Sequence, residues 1–212
     1  MAVVKSHLSI SLDGFVAGPN QSVENPIGEG GMRLHQWMFE TAAWREQHGE
    51  PGGERTVDSD VVESLSRGIG AYVMGRKMFG GGAGEWDLEW KGWWGEDPPY
   101  HAPVFVLTHH RREPLWMQGG TTFHFVTEGI DAALDQARAN AGDRDVLIAG
   151  GASTVRQFMS RGLLDELYLD IVPVLLGRGE RLLDNVGDPV LEPAEVVASP
   201  KVTHVRYRIR PR

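Results

Sequence analysis

The chain has 212 residues, no cysteine, 41% hydrophobic and 24% charged residues, and a formal net charge of -8. This is the size and balance of one globular domain that buries its own core, and it excludes disulfides, zinc ribbons and thiol nucleophiles. The acidic surface argues against nucleic acid and anionic membranes as partners, and no run approaches the roughly 20 apolar residues that span a bilayer.

Lys5, Ser6 and His7 break any apolar run at the start, so no signal peptide is expected and the expected location is cytoplasmic. Residues 3–12 read as a strand, with Leu8, Ile10 and Leu12 on one face and His7, Ser9 and Ser11 on the other. The small polar face suits either a ligand or a covering helix. Asp13-Gly14 ends the strand, and residues 18–31, rich in Gly, Pro and Asn, form a loop. Leu34, Trp37, Met38, Thr41 and Trp44 recur at helical spacing over 32–47. A second helix is expected over 59–66, with Val61, Val62 and Leu65 inward and Asp58, Ser59 or Asp60 as cap.

Residues 70–74 read as a buried strand. Residues 80–103, with a triple glycine, Trp86, Trp90, Trp93, Trp94 and Pro98-Pro99, form a long insertion. Two readings fit it: a satellite hydrophobic cluster under a loop, which is the commoner use of aromatics, or a wall for a planar substrate. Strands are expected at 103–108 and 122–126, and a helix at 130–141 with Ile130, Ala133, Leu134 and Ala137 on one face. Then come a buried strand ending at Ala149, a glycine turn, a helix over Ser153–Arg161 and a strand over 166–176. The last strand, 202–210, alternates Val205, Tyr207 and Ile209 with Arg206, Arg208 and Arg210, and Arg212 follows. Such a pattern suits a charged antiparallel edge strand better than a nucleic-acid site. Strands alternating with helices imply a largely parallel sheet, and residues 1–212 read as one domain.

Two strand ends carry the chemistry. At Val146–Thr154 a buried strand meets a helix through Gly150-Gly151. Glycine lets backbone approach a ligand, and a helix start offers free N–H groups to a phosphate, with Ser153 and Thr154 as hydroxyl donors. Such turns also serve packing alone, and the run is neither G-x-G-x-x-G nor a P-loop. At Tyr72–Phe79 a second apolar strand ends in Gly75-Arg76-Lys77, where two cations at a carboxyl end suit a phosphate. Two such ends suit a dinucleotide.

The combination of Ser11-Leu12-Asp13-Gly14-Phe15-Val16-Ala17-Gly18, Val73-Met74-Gly75-Arg76-Lys77, Gly150-Gly151, Leu164-Asp165-Glu166-Leu167 and Val174–Gly179 resembles the dihydrofolate-reductase-like superfamily. It is most similar to stand-alone proteins related to the reductase (C-terminal) domain of the bifunctional riboflavin-biosynthesis deaminase-reductase, over about residues 4–210. The resemblance implies an α/β three-layer fold with a central mixed, mostly parallel sheet of eight strands flanked by helices. It implies NADPH as cofactor and hydride transfer to the C=N or C=O group of a pterin-like or ribosylaminopyrimidine-like substrate. It assigns the cofactor phosphates to Gly75, Arg76 and Lys77, with Arg76 near the 2′-phosphate. The adenosine half falls to Leu107, Thr108 and His109, the pyrophosphate to Gly150, Gly151, Ala152, Ser153 and Thr154, and the nicotinamide to the backbone around Ala17. A homodimer is also implied.

The sequence departs from this pattern on the substrate side. No carboxylate aligns with the one that holds the pteridine in dihydrofolate reductases; Glu40, Asp58, Asp60 and Glu63 are candidates, each better explained as a cap or solvated side chain. Ala149 stands where riboflavin-pathway reductases carry an acid. Asp13 is the candidate catalytic residue, its competing role being to close the strand turn through backbone hydrogen bonds. No metal is expected, since no His-Glu-x-x-His occurs and the adjacent His109 and His110 point apart on a strand. A serine hydrolase is excluded by the lack of G-x-S-x-G. The alternative function is a nucleotide- or flavin-binding protein of the same fold without turnover.

Overall fold

A computed structural model describes residues 2–82 and 84–210. The chain runs through β1 (Val4–Ser11), β2 (Phe15–Ala17), a 3-10 turn (Gly31–Leu34), α1 (Gln36–Phe39), α2 (Ala42–Gln47), α3 (Val57–Ser64), β3 (Ile69–Gly75) and α4 (Arg76–Phe79). It continues through β4 (Pro103–Leu107), β5 (Leu115–Trp116), β6 (Thr122–Val126), α5 (Ile130–Ala141), β7 (Asp145–Gly150) and α6 (Ala152–Ser160). The last strands are β8 (Glu166–Val172), β9 (Glu180–Arg181), β10 (Val190–Ala198) and β11 (Thr203–Arg210).

Among the described residues one nine-stranded sheet has the order β10-β11-β8-β1-β7-β3-β4-β6-β5, and β2 pairs with β9 apart from it. The five pairings from β8 to β6 are parallel, and those of β11 with β8, β10 with β11 and β5 with β6 are antiparallel. The sheet is thus mixed and mostly parallel, as expected, with nine strands rather than eight.

Alternation along each strand sends side chains to opposite layers. Val73, Phe105 and Ile148 join Val4 and Leu167 under α5 and α6, whose Ala133, Leu134, Val155 and Phe158 are buried against them. Tyr72, Met74, Val104 and Val106 face the other way, into a cluster with Phe79 and Phe123 that the tryptophan-rich insertion covers. Leu34, Trp37 and Val62 close the rest of that face against Val172 and Val202. No helix of the described residues is long and apolar enough to cross a membrane.

Several local expectations are corrected. The helix expected over 32–47 is a 3-10 turn and two short helices. It breaks at Thr41, which is extended and accepts from the N–H of Trp44 through its hydroxyl. The chain is diverted there because Ala42 N–H donates to Glu54 and Glu54 N–H to Glu40. The helix expected at 59 begins at Val57 after Thr56, so Asp58 and Ser59 lie inside it, buried, instead of capping it. The strand expected over 166–176 stops at Val172, before Pro173, which has no N–H for a ladder.

The last strand is not an edge. β10 lies outside it, and was missed because Glu192, Pro193 and Glu195 interrupt the alternation at a bulge. Two arginines of β11 face acids: Arg206 meets Glu166 and Glu195, and Arg210 meets Glu192. Arg212 of that basic strip lies outside the described residues.

Candidate active site

Leaving β6 the chain returns to β7 between β1 and β3, and leaving β7 it crosses to β8 on the far side of β1. The strand order therefore reverses between β1 and β7, and ligands of open parallel sheets bind at the carboxyl ends beside such a reversal. The β1–β7 ladder consists of Val4 with Val146 and Lys5 with Leu147, while β1 stays paired to β8 as far as Ser11. Ser6 Oγ donates to the Ile148 carbonyl at 2.8 Å, and beyond it the strands part.

Most of the expected cofactor residues gather at that end. Met74 pairs with Gly150, and Gly75 with Leu107. A Cβ on Gly75 would stand 2.5 Å from Thr154 Oγ1, so a glycine is needed where β3 passes the first turn of α6. Gly150 has φ +125° and is joined to Gly151 by a cis peptide bond. Gly151 is exposed, has φ -69°, and a Cβ there would meet nothing within 4 Å. Neither its φ nor packing demands a glycine at 151, and the start of α6 behind it is accessible. That start carries no side-chain cap, Ser153 is exposed, and Ala152 and Thr154 are buried beneath it. The ends of β3 and β7 and the start of α6 thus meet in a cradle beside an accessible helix terminus, which suits an anionic, extended ligand such as a dinucleotide.

Other expected contacts are differently engaged. Thr108 is buried, accepts from His110 N–H at 3.1 Å, and its hydroxyl faces the His110 carbonyl, so that hydroxyl closes a turn while His109 is exposed. Ala17 ends β2 with Gly179 packed on its carbonyl: a Cβ on Gly179, which has φ +135°, would stand 2.1 Å from that oxygen. Gly179→Ala is accordingly expected to cost about 2 kcal/mol or more, read as a lower melting temperature. An unchanged melting temperature would mean that the β2–β9 contact carries no strain.

Asp13 is held rather than free. Its carboxylate accepts from Ser11 Oγ at 2.6 Å and from the N–H groups of Leu176 and Gly177 at 3.1 and 2.6 Å. The Ser11 hydrogen bond, opposed by desolvation and helped by those two N–H groups, lowers its pKa to about 2. A carboxylate ionised at neutral pH has no proton to give, so the geometry makes Asp13 the tie between the end of β1 and the 173–179 segment.

Arg76 turns away from the cradle. Its guanidinium stacks 3.6 Å from the Trp86 ring and donates to the carbonyls of Gly82 and Glu85. Arg112 approaches the same indole at 5.1 Å and donates to the carbonyls of Leu88 and Trp90. The indole N–H groups of Trp86, Trp90 and Trp93 reach the carbonyls of His110, Phe79 and Met78. The insertion is thereby a packed satellite cluster. Lys77, by contrast, is exposed.

The polar face of β1 lies under helices. Asp170 on β8 accepts from His7 at 2.9 Å and His204 at 2.7 Å, and the other nitrogen of His204 meets Asp58 at 3.0 Å. Trp37 donates to Ser9, whose hydroxyl faces Asp170 at 3.4 Å. Because both ring nitrogens of His204 face carboxylates, the ring is held as imidazolium. Burial opposes that charge, but the hydrogen bonds and charges of Asp170 and Asp58 outweigh it, and the pKa of His204 is raised. Burial likewise opposes the Asp170 charge, and the two histidines hold it well below the usual carboxylate range. Asp58, one of the four acids considered for substrate binding, is thus occupied. Sequence reading missed this set; the available signal was a charged residue, Asp170, inside the apolar run of β8.

Two cavities lie away from the cradle, one of about 450 Å³ lined by Glu46, Arg55 and Asp60, the other of about 220 Å³ lined by Lys5, His7 and Tyr168. Among the described residues no group of three or more His, Asp or Glu is arranged to hold a metal ion.

The family model described as the RibD C-terminal domain matches residues 2–205. An uncharacterised protein, YyaP, of Bacillus subtilis is 25% identical over 189 residues, spanning 84% of this chain and 79% of its own. A structure from Shewanella sp. PV-4 named for riboflavin biosynthesis superposes with a TM-score of 0.63 at 21% identity, covering all of both chains. The diaminohydroxyphosphoribosylaminopyrimidine deaminase/5-amino-6-(5-phosphoribosylamino)uracil reductase of Thermotoga maritima gives 0.56 at 14% identity, over 99% of this chain and 57% of that one. Dihydrofolate reductase of Enterococcus faecalis, complexed with NADP(H), gives 0.52 at 13% identity, over 99% and 97%. The fold is dihydrofolate-reductase-like.

Proposed function

Because the chain belongs to the RibD C-terminal domain family, we propose that it is an NADPH-dependent reductase of a pterin-like or ribosylaminopyrimidine-like heterocycle. The observation that carries this reading is the open cradle formed by Gly75, Gly150, Gly151 and the uncapped start of α6 at the sheet reversal. When bound there, the nicotinamide supplies the hydride. The backbone N–H groups at Gly151, Ala152 and Ser153 would receive the pyrophosphate, with Ser153 as a hydroxyl donor. The Gly75–Lys77 and Leu107–Thr108 segments would hold the adenosine half, and the backbone at Ala17 would lie by the nicotinamide. The protein's share of the chemistry is orientation, charge complementarity and exclusion of water. With Asp13 ionised and engaged, the proton that accompanies reduction of a C=N or C=O group would come from water or from an acid other than Asp13.

A second reading, a nucleotide- or flavin-binding protein without turnover, is favoured by one feature: Asp13 and Asp58 are taken up by hydrogen bonds within the protein, and Ala149 stands where riboflavin-pathway reductases often carry an acid. The two are separated by mixing the protein with NADPH and a panel of pterins and riboflavin precursors while following absorbance at the nicotinamide band. Oxidation with one of them supports the reductase. Tight binding without oxidation across the panel supports the second reading, and no NADPH binding removes the first.

A further inference from the structure

We propose that the cavity of about 220 Å³ at the amino ends of β1, β7 and β8 is a second ligand site, which takes a small oxyanion: a phosphate or carboxylate group held by Lys5, His7 and Arg67. It lies apart from the cradle and does not rest on the reductase reading.

Position separates the two sites. Lys5 is the second residue of β1, where it pairs with Leu147 of β7 and Glu166 of β8, and His7 pairs with Tyr168. Arg67 stands just before Ile69, the first residue of β3. The cradle is at the opposite rim, where β3 ends at Gly75 and β7 at Gly150. Along β1 the span from Lys5 to Ser11 is about 20 Å of strand. The cavity is also smaller than the ~300–1,000 Å³ that cofactors and drug-sized ligands occupy, so it suits a compact group rather than a second dinucleotide.

Charge and free donors give the chemistry. In a chain of net charge -8, the lining brings together Lys5, His7 and Arg67 and contains no aspartate or glutamate. Each of the three has an acidic partner, Asp145 for Lys5, Asp170 for His7 and Glu63 for Arg67, and none of those carboxylates lines the cavity. Ser64 and Tyr168, also in the lining, donate their hydroxyl hydrogens to the Val61 carbonyl and to Glu166. The donors left for a ligand are therefore on the basic side chains. Lys5 and Arg67 each spend one N–H on their acid and keep others free. His7 meets Asp170 through Nε2, and its Nδ1 has no partner among the described residues although the side chain is only 12% exposed. A nearly buried ring nitrogen is normally satisfied, and the cavity that His7 lines is where its partner can stand. His204 shows the completed arrangement, with a carboxylate at each ring nitrogen, and an oxyanion in the cavity would give His7 the same pair. Leu65, Leu147 and the Tyr168 ring supply apolar walls, which lower the local dielectric and strengthen a charged contact.

The test titrates isotope-labelled protein with inorganic phosphate, and separately with acetate, following backbone amides by NMR at an ionic strength held constant with sodium chloride. Saturable shifts of the Lys5, His7 and Arg67 amides are expected with at least one probe, and the tighter of the two names the group. Arg67→Gln is expected to weaken that binding by about tenfold. The variant should keep its fold, because the ion pair with Glu63 is exposed on both sides and contributes little. His7→Gln should weaken binding by a similar factor; if loss of the Asp170 contact unfolds it, Arg67→Gln alone decides. A Kd above about 10 mM for both probes overturns the proposal. So do shifts confined to Gly75 and Gly150–Thr154, which would put the anion in the cradle, and so does an unchanged Kd in Arg67→Gln.

Discussion

Asp170→Ala is expected to destabilise the protein by about 3–5 kcal/mol, because it leaves the His204 and His7 rings facing an empty site in a buried, low-dielectric region. For a chain of this size that is a fall in melting temperature of about 10 °C. Asp170, His204 and Asp58 are all under a tenth exposed, and they join β8, β11 and α3, while His7 brings in β1. A fall of less than about 2 °C would show that the network contributes little.

The same network has a signed pH dependence. The raised pKa of His204 means that its contribution is complete below the unfolded value of about 6.5 and is lost as pH rises through the folded pKa. The depressed pKa of Asp170 means that its contribution is complete above about 3.9 and is lost as pH falls towards its folded value. Both are in place between about pH 4 and pH 6.5. The difference in melting temperature between wild type and His204→Gln should therefore be largest in that window and shrink as pH is raised beyond it. A difference that grows with pH would contradict the imidazolium assignment.

Gly151→Leu is expected to weaken NADPH binding by about a hundredfold or more while changing stability by no more than about 1 kcal/mol. The separation follows from two facts: the residue has an ordinary φ, and a Cβ there meets nothing. A leucine side chain would instead occupy the approach to the N–H groups of α6. Calorimetric titration with NADPH beside a thermal melt reads both quantities. Retained affinity would move the cofactor away from this turn, and a large loss of stability would give the glycine a packing role. Gly75 provides the contrast, since a Cβ there would press on Thr154.

Much of the fold was legible in the sequence because its signals are local. The helix at 130–141 was readable from Ile130, Ala133, Leu134 and Ala137, whose spacing along one stretch of backbone is the reason they share a buried face. The β7–α6 turn was readable from two glycines, and the β3 end from Gly75. Where local signals were weak, as in β10 with its proline and bulge or the broken helix at Thr41, the reading failed. Distant backbone carbonyls had taken over hydrogen bonds that the sequence pattern assumed would be local.

The sequence by itself therefore determined the α/β order and the two glycine-bearing strand ends. Only the tertiary structure decided what the charged side chains do. Asp13 is consumed by Leu176 and Gly177, Arg76 by Gly82, Glu85 and Trp86, and Asp58 by His204, and the partners of Asp13 and Asp58 lie far along the chain. Backbone periodicity is written in neighbouring residues, but the partner of a long polar side chain is set by which segments the finished fold brings within about 3 Å, and that distance exists only once the chain has closed on itself.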